Sequence, residues 1–328
     1  MSVVRPDSMM IGEIQLAMPI YFPSVSSTKT ALPLLDYVRS LAALGNINNQ
    51  FLVSAYDYIR ASDAEQEELR ALVTHAKRAG TTVLMDSGNY ESYWNRQRET
   101  WRQTDFHRAI AELSCPLAFG FDEQEPPNDF ESHVRVILER QALDQAAAGS
   151  TIIIPIVHGK SETLPGLCAA VANATGVPMI AVPERGLGNG VFQRASTVKA
   201  IRKALDAHGR YVGLHLLGTG NPISLALYSI AGADSFDGLE WCQTVVDHET
   251  ALLFHFSQAD FFSRQTKWGD NDDLSFHVKA LAHNLEFYTD WMKRLRQALH
   301  VGDGVKFCKA NFPHRIFSRC AATMSWEG

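Results

Sequence analysis

Short apolar runs alternate with amphipathic stretches along most of the chain. The runs are rich in Val, Ile, Leu and Phe and lack regular polar alternation, which is typical of strands buried on both faces. The pattern therefore predicts eight buried strands. These are Met18–Phe22, Phe51–Ala55, Thr82–Met85, Leu117–Phe121, Ile152–Val157, Pro178–Val182, Val212–Leu217 and Ser235–Leu239.

Helical patterns separate the predicted strands. The stretch Ser62–Ala79 begins with Ser62 as a potential cap and ends before a glycine, as helices commonly do. Similar patterns predict helices over Asp129–Ala148, Phe192–His208 and Pro222–Ala231. Strands that alternate with helices indicate an α/β fold. We expect a (β/α)₈ TIM barrel, with a doubly wound open sheet as the alternative.

The chain length favours a single domain. The 328 residues, 46% of them hydrophobic, are enough for one large α/β domain and less well suited to two small ones. We therefore interpret residues 1–328 as one barrel domain. Within it, residues 274–328 are expected to form a C-terminal helical extension, because Leu274–His300 carries an apolar stripe at helical spacing.

The net charge of −6 excludes a strongly basic nucleic-acid binder but leaves room for a local basic face. No apolar run is long enough to cross a bilayer, and residues 1–10 lack the apolar core of a signal peptide. These features predict a cytoplasmic protein with no membrane partner. Ordinary solvated helix faces are the simpler interpretation of the basic residues. The candidates are Arg96, Arg98 and Arg102, and in the tail Lys293, Arg294, Arg296, Lys306, Lys309, Arg315 and Arg319.

The five cysteines are scattered and odd in number, which favours reduced thiols over a disulfide framework. Cys308, His314 and Cys320 lie near one another in sequence, but their spacing matches no compact zinc pattern. We therefore predict no metal site there.

Polar, acidic and glycine-rich segments follow nearly every predicted strand, where both alternative folds place their chemistry. Asp86 and Asp237, about 150 residues apart, each end a buried run. Two such carboxylates suit an enzyme that attacks a carbon and moves a proton at one site. Taken singly, Asp86 and Asp122 suit helix caps or turns equally well. His158 alone suggests a core histidine, and the Gly218 turn lacks a full phosphate-binding pattern.

The order of these motifs resembles that of the tRNA-guanine transglycosylase (queuine tRNA-ribosyltransferase) family, from about Pro19 to Ala298. Each motif is short, and their shared order carries the resemblance. Phe51–Tyr58 resembles the family's second strand, and His283–Tyr288 a helix near its C-terminus. Other segments resemble family motifs: Asp86–Tyr90 its Asp-Ser-Gly-Gly-Phe, Phe121–Glu123 its Phe-Asp-Glu, Ile156–Gly159 its Ile-Val-Gln-Gly, Leu217–Gly220 its Met-Gly-Val-Gly and Phe236–Asp237 its Phe-Asp.

The resemblance implies a role for each matched position. Asp237 would attack C1′ of a nucleotide sugar and form a covalent glycosyl-enzyme, with Asp86 as general acid and base. Asp122 would accept hydrogen bonds from the N–H groups of a purine, and Tyr90 would stack on it. The remaining implied substrate-binding positions are Ser87, Gly88, His158, Glu184, Gly186, Leu187 and Gly218.

The chain departs from the family at three places, one of which is the expected glycine pair, replaced by a region that contains Pro183, Glu184 and Arg185. Only Cys242 stands in the stretch where the family carries three cysteines and a histidine around zinc, an element that helps to engage tRNA. His158 replaces a glutamine of the base-reading motif, although it too can donate to a purine oxygen. A compact, zinc-poor chain is more similar to the branch of the family that inserts 7-deazaguanines into DNA.

We therefore expect exchange of guanine for a free 7-deazaguanine base, such as 7-cyano-7-deazaguanine, in DNA, or second in tRNA. No cofactor is expected, and a homodimer or a helper protein is compatible with the family. Two alternatives stay open. One is hydrolysis of a nucleoside or nucleotide by the same carboxylates, and the other is a non-catalytic partner subunit.

Overall fold

Eight parallel strands form the centre of the fold. A computed structural model of the chain describes residues 4–28, 30–94 and 101–326. After the hairpin β1 (Ser8–Ile11) and β2 (Ile14–Ala17) come β3 (Ile20–Pro23), β4 (Gln50–Ser54), β5 (Thr82–Asp86), β6 (Leu117–Phe119), β7 (Ile152–Ile154), β8 (Met179–Pro183), β9 (Gly213–Leu217) and β10 (Ser235–Gly238), and then a second hairpin, β11 (Thr244–Val246) and β12 (Leu253–His255).

Strands β3 to β10 coincide with the eight predicted runs and form two four-stranded parallel sheets, ordered β3-β10-β9-β8 and β4-β5-β6-β7. The prediction of an α/β fold with buried parallel strands is therefore confirmed. The two sheets also meet. Ser24 pairs with Leu52 in a parallel bridge beside β3 and β4, and Ile156 pairs with Ala181 beside β7 and β8. All eight strands consequently run in one direction, and their carboxyl ends share one side of the molecule.

Helices follow most of these strands. Ser62 shows how the local sequence starts one of them. Its hydroxyl accepts a hydrogen bond from the Glu65 N–H, and the Glu65 carboxylate accepts one from the Ser62 N–H, which together form a capping box. The helices are α1 (Leu34–Ala43), α2 (Ala55–Arg60), α3 (Asp63–Arg78), α4 (Asn89–Trp94), α5 (Gln103–Leu113), α6 (Phe130–Ala147), α7 (Leu164–Thr175), α8 (Val191–Asp206), α9 (Pro222–Ala231), α10 (Glu240–Gln243), α11 (Phe276–His300), α12 (Gly304–Asn311) and α13 (His314–Met324), with 3₁₀ helices at Glu184–Leu187 and Phe256–Gln265.

The apolar core has two parts. The larger lies between the strands and the helices that surround them. The smaller joins strand residues such as Phe22 and Phe119 to the hairpin β1–β2, which contributes Met9, Ile11 and Leu16. The hairpin thus packs against strand side chains on the face turned away from the helices.

The C-terminal helices are held to the strands by polar contacts. The Tyr288 hydroxyl on α11 donates to the Gly220 carbonyl at 2.7 Å, and the Arg296 guanidinium donates to the Pro19 carbonyl at 2.9 Å. These contacts reach both ends of the strands. Over the described part of the chain, no helix combines the length and the apolar character needed to span a membrane.

Candidate functional site

A cavity of about 390 Å³ opens at the carboxyl ends of the parallel strands. Its volume falls in the range of small-molecule sites, roughly 300–1,000 Å³. Most of the residues singled out from the sequence line this one cavity. They are Asp86, Ser87, Tyr90, Asp122, His158, Glu184, Gly218 and Asp237.

Three of the sequence candidates do not line the cavity. The Gly88 N–H donates to the Asp86 carboxylate at 2.9 Å, and its positive φ of 85° and close approach to Tyr56 leave no room for a side chain. Leu187 is fully buried, and its carbonyl accepts a hydrogen bond from Thr197 at 2.8 Å. Gly186 packs on the Gly159 carbonyl. These residues shape the loops behind the wall.

Asp237 is the last residue but one of strand β10, is buried and lines the cavity. One carboxylate oxygen lies 3.0 Å from Nε2 of His215 and accepts the Gly218 N–H at 3.2 Å. The other accepts the Ser24 hydroxyl at 2.8 Å. Hydrogen bonds from fixed donors stabilise a carboxylate charge. The arrangement therefore holds the Asp237 carboxyl group in one orientation at the edge of the cavity.

Asp86 ends strand β5 and faces the same cavity. Desolvation, followed by the nearby charge of Glu91, raises the pKa of the Asp86 carboxyl well above its usual range, and the Gly88 N–H opposes the shift only in part. Burial at this position therefore favours the protonated form of Asp86, which is the form that a general acid requires.

Two further buried acidic side chains, Glu91 and Asp57, lie near Asp86. Glu91 on α4 accepts hydrogen bonds from Ser26 at 2.7 Å and Ser54 at 3.0 Å. Burial, then the charge of Asp57, raises the pKa of Glu91 from 4.5 to about 8. Burial likewise raises the pKa of Asp57 to about 6. Asp86, Glu91 and Asp57 thus form one group of buried carboxyls with raised pKa values.

Asp122, which follows strand β6, lies at the centre of a hydrogen-bond network on the wall. It accepts the Asn89 amide at 2.7 Å and contacts Nε2 of His158 and the amide of Gln124. Although burial opposes ionisation, the hydrogen bond and charge of His158 lower the pKa of the Asp122 carboxyl below its usual value. Asp122 is thus a charged acceptor, the opposite of Asp86.

A second group of charged side chains lines the far wall. The Glu184 carboxylate accepts the Tyr228 hydroxyl at 3.0 Å and pairs with Arg194 at 2.9 Å. Arg185 donates to the Gln124 side chain at 2.7 Å, which links this wall to Asp122. Glu184 therefore has a guanidinium partner, unlike the carboxyls beside Asp86.

Glu240, at the start of α10, is a further carboxyl in the wall. Its oxygen is packed against Gly220 and Gly238, where any side chain on either glycine would collide with it. Desolvation, opposed by backbone N–H groups, raises the pKa of Glu240 to about 7. The chain thus places an additional titratable group beside the end of β10.

Aromatic rings form the rim of the cavity. Tyr90 and Trp94 on α4 line it and remain 38% and 46% exposed, with their ring centres 6.3 Å apart. Tyr93 is 40% exposed and lies edge-on to Trp94 at 5.6 Å. Exposed rings at the mouth of a polar cavity are suited to stack on planar ligands.

Sequence reasoning missed several residues of this site. His215 lies inside an apolar strand. A single histidine within that apolar run was the signal that could have identified it. Glu91 and Glu240 directly follow motifs that were singled out. Only the folded chain brings Ser24, Arg185 and Arg194 to the cavity.

The other sequence candidates lie elsewhere. All five cysteines are buried and free of disulfides, and the described residues contain no cluster of three metal-binding side chains. Arg96 and Arg98 fall outside the described residues. Arg102 is exposed. In the tail, Arg294 pairs with Asp290 at 2.6 Å and Lys306 with Asp303 at 2.7 Å. These contacts are those of ordinary helix surfaces.

The comparisons with known proteins leave the family open. No protein-family model matches the chain, and a search of curated proteins gave no significant match.

Proposed function

We propose that the chain is a base-exchanging glycosyltransferase that replaces guanine with a 7-deazaguanine in a polynucleotide, through a covalent glycosyl-Asp237 intermediate. The observation that carries this proposal is the convergence of Asp86, Asp122 and Asp237 on one cavity in three different electrostatic environments. Carboxyls whose surroundings hold them in different protonation states divide the roles of acid, acceptor and nucleophile.

The proposal includes a closed (β/α)₈ barrel. Two observations support closure. The bridge between Ser24 and Leu52 links β3 to β4, and the bridge between Ile156 and Ala181 links β7 to β8. With the two sheet orders, these bridges give each of the eight strands a neighbour on both sides. A barrel gathers the strand ends around one mouth, where enzymes of this architecture place their chemistry.

Asp237 and Asp86 share the chemical steps. In the first, Asp237 attacks C1′ of the sugar, the bond from C1′ to the base breaks, and the departing base takes the proton of Asp86. In the second, the incoming base attacks C1′, the bond to Asp237 breaks, and Asp86 takes the proton that the incoming base loses. Two displacements retain the configuration at C1′, as in retaining glycosidases.

Residues on the opposite wall of the cavity from Asp237 would recognise the base. Asp122 is charged and can accept N–H groups of a purine once Asn89 or Gln124 releases it. His158, held by Asp122, can donate to a purine oxygen. Tyr90 at the rim can stack on the base. These groups favour a guanine-like base over one that lacks adjacent N–H donors.

DNA is the proposed polymer and tRNA the second choice, since the chain lacks the cysteine cluster that the family uses with tRNA. The target nucleotide must leave its stack, which costs a few kcal/mol and makes single strands the better substrate. A chain with a net charge of −6 does not favour binding to an anionic polynucleotide. A helper protein or a second copy of the chain would supply the missing affinity. A polynucleotide substrate also fits a cytoplasmic location.

Incubation with labelled guanine and either single-stranded DNA or unmodified tRNA tests the proposal. We expect label to enter the polymer, and we expect a denaturation-resistant adduct between protein and polymer that requires Asp237. Failure to label either polymer, with no adduct on either, would contradict the proposal.

One observation favours a second candidate, hydrolysis of a free nucleoside. Of the residues that the structure describes, six carboxyl side chains and two guanidinium groups line the cavity. They are Asp86, Glu91, Asp122, Glu184, Asp237 and Glu240, and Arg185 and Arg194. Such a wall repels phosphates more than it attracts them. Release of free ribose from guanosine, with no incorporation of labelled guanine into polymer, would favour this candidate.

A further inference from the structure

The two oxygens of the Asp237 carboxylate have different kinds of partner. Oδ1 faces two donors of fixed direction, the ring N–H of His215 at 3.0 Å and the backbone N–H of Gly218 at 3.2 Å. Within the described part of the chain, Oδ2 accepts one hydrogen bond, from the hydroxyl of Ser24 at 2.8 Å. A hydroxyl can rotate away from its acceptor, whereas a ring or backbone N–H cannot do so without moving its whole residue.

His215 lies beneath the site and does not line the cavity. Its side chain is fully buried on β9, 4.6 Å from the ring centre of Phe119. Nδ1 lies 2.8 Å from the Ser235 hydroxyl. Because a carboxylate only accepts hydrogen bonds, Nε2 of His215 must carry the hydrogen that is donated to Asp237. In the neutral ring, Nδ1 then accepts a hydrogen bond from the Ser235 hydroxyl. Ser235 thereby fixes the orientation of the imidazole.

We infer that Oδ2 of Asp237 is the atom that bonds to the sugar, and that His215 is a positioning residue that holds Oδ1 through both displacements. The inference rests on the proposed function and adds to it the bonding atom and a buried partner. Ser24 gives up Oδ2 when the substrate arrives, and the Oδ1 contacts are retained.

The bonds and charges balance in each direction. In the first displacement a lone pair of Oδ2 forms the bond to C1′, the electrons of the broken bond leave with the base, and Oδ1 becomes the carbonyl oxygen of an ester. In the second displacement the bond from Oδ2 to C1′ breaks, and its electrons return to the carboxylate. Donors to Oδ1 bind the charged carboxylate more strongly than the ester. His215 therefore makes Asp237 a better leaving group in the second step.

A matched set of three variants tests this role. His215→Phe keeps a ring of similar size and removes the N–H. His215→Gln keeps an N–H donor. His283→Phe makes the same change at a buried histidine whose Nε2 contacts the Val246 carbonyl and which does not line the cavity. Rapid quenching with end-labelled single-stranded DNA measures adduct formation, and a chase with free guanine measures its release.

We expect His215→Phe to slow release of the adduct on the order of 100-fold, the usual loss for one buried donor to a charged oxygen. Adduct should then accumulate at steady state, and adduct formation should slow less than release. His215→Gln should recover most of the release rate, and His283→Phe should match the original chain in both steps.

The possible failures are separable. Adduct formation by the original chain with release unchanged in His215→Phe overturns the inference alone. Equal slowing of both steps, without accumulation and without recovery in His215→Gln, identifies a merely structural role and also overturns it. Absence of adduct from the original chain, on single-stranded DNA and on unmodified tRNA alike, overturns the proposed function together with the inference.

Discussion

Two buried carboxylates stand three residues apart at opposite ends of strand β10, and their surroundings differ. Asp234, just before the strand, pairs with the Arg5 guanidinium at 2.9 Å and accepts the Tyr211 hydroxyl at 2.6 Å. Asp237, near the carboxyl end, accepts from the Ser24 hydroxyl and the Gly218 backbone N–H and contacts the His215 ring. Among the residues that the structure describes, Asp234 is paired with a guanidinium group and Asp237 is not.

The same contrast separates the two ends of the strands as a whole. At the amino ends the hairpin β1–β2 packs onto the strands and Arg5 anchors the chain before it. At the carboxyl ends Glu91 and Glu240 have raised pKa values, and no lysine or arginine in the described ranges forms an ion pair with either of them. Carboxyls that are buried without a cation cost stability, so their concentration at one end indicates a function rather than a structural role.

Replacing Asp237 should cause the largest loss of base-exchange activity. Asp237→Asn keeps the shape and removes the nucleophile, so base exchange should fall by at least about 1,000-fold, as for other nucleophiles. Incorporation of labelled guanine into DNA measures this, and thermal unfolding checks the fold. Asp270→Asn, at an exposed position, is the control. Full exchange activity in the Asp237 variant would instead show that Asp237 is not the nucleophile.

Replacing Asp234 should have the opposite outcome. Asp234→Asn removes the partner of Arg5, whose side chain is 22% exposed, so the free energy of unfolding should drop by about 2–3 kcal/mol. Exchange activity per folded molecule should stay the same. Urea unfolding provides the measurement. Asp290→Asn, which breaks an exposed pair with Arg294, should cost less than about 1 kcal/mol. Equal losses in the two variants would remove the distinction between the ends.

The pH dependence of stability sharpens the comparison further. The pKa of Glu91 rises from 4.5 in the unfolded chain to about 8 in the folded one. Between these values the folded state holds the extra proton, so this residue makes stability fall as pH rises from 4.5 to 8.

Glu91→Gln removes that proton linkage. Relative to the original chain, the variant should gain about 4 kcal/mol of unfolding free energy between pH 5 and pH 9. Urea unfolding at both pH values tests this. Glu67→Gln, at an exposed position, should leave the profile as it is. A parallel pH profile for Glu91→Gln and the original chain would show that Glu91 titrates normally.

The smallest effect is expected at the rim. Tyr90→Leu removes a stacking surface and should weaken single-stranded DNA binding by about 1 kcal/mol, close to fivefold in KM, with kcat unchanged. Tyr90→Phe keeps the ring and should bind as before. Steady-state exchange kinetics separate KM from kcat. A fall in kcat alone for Tyr90→Leu would place Tyr90 in the chemistry and not at the binding rim.

Much of the framework was open to prediction because its signals are local. Each of the eight strands lies within two or three residues of its apolar run, and Ser62 caps its helix as expected. The carboxylates after β5, β6 and β10 were visible as polar residues at the ends of buried runs. The hairpin β1–β2 was not predicted, because its four-residue strands are too short to show a periodicity.

The chain order of apolar runs and strand-end carboxylates was enough to indicate an α/β fold and to select Asp86, Asp122 and Asp237, since burial and alternation leave their pattern within a few neighbouring residues. Tertiary structure alone decided which groups meet. It brought Ser24 and His215 to Asp237 from 213 and 22 residues away, and it set Glu91 behind Asp86. Protonation depends on distances and on lost solvent across the whole fold, which no short stretch of sequence encodes.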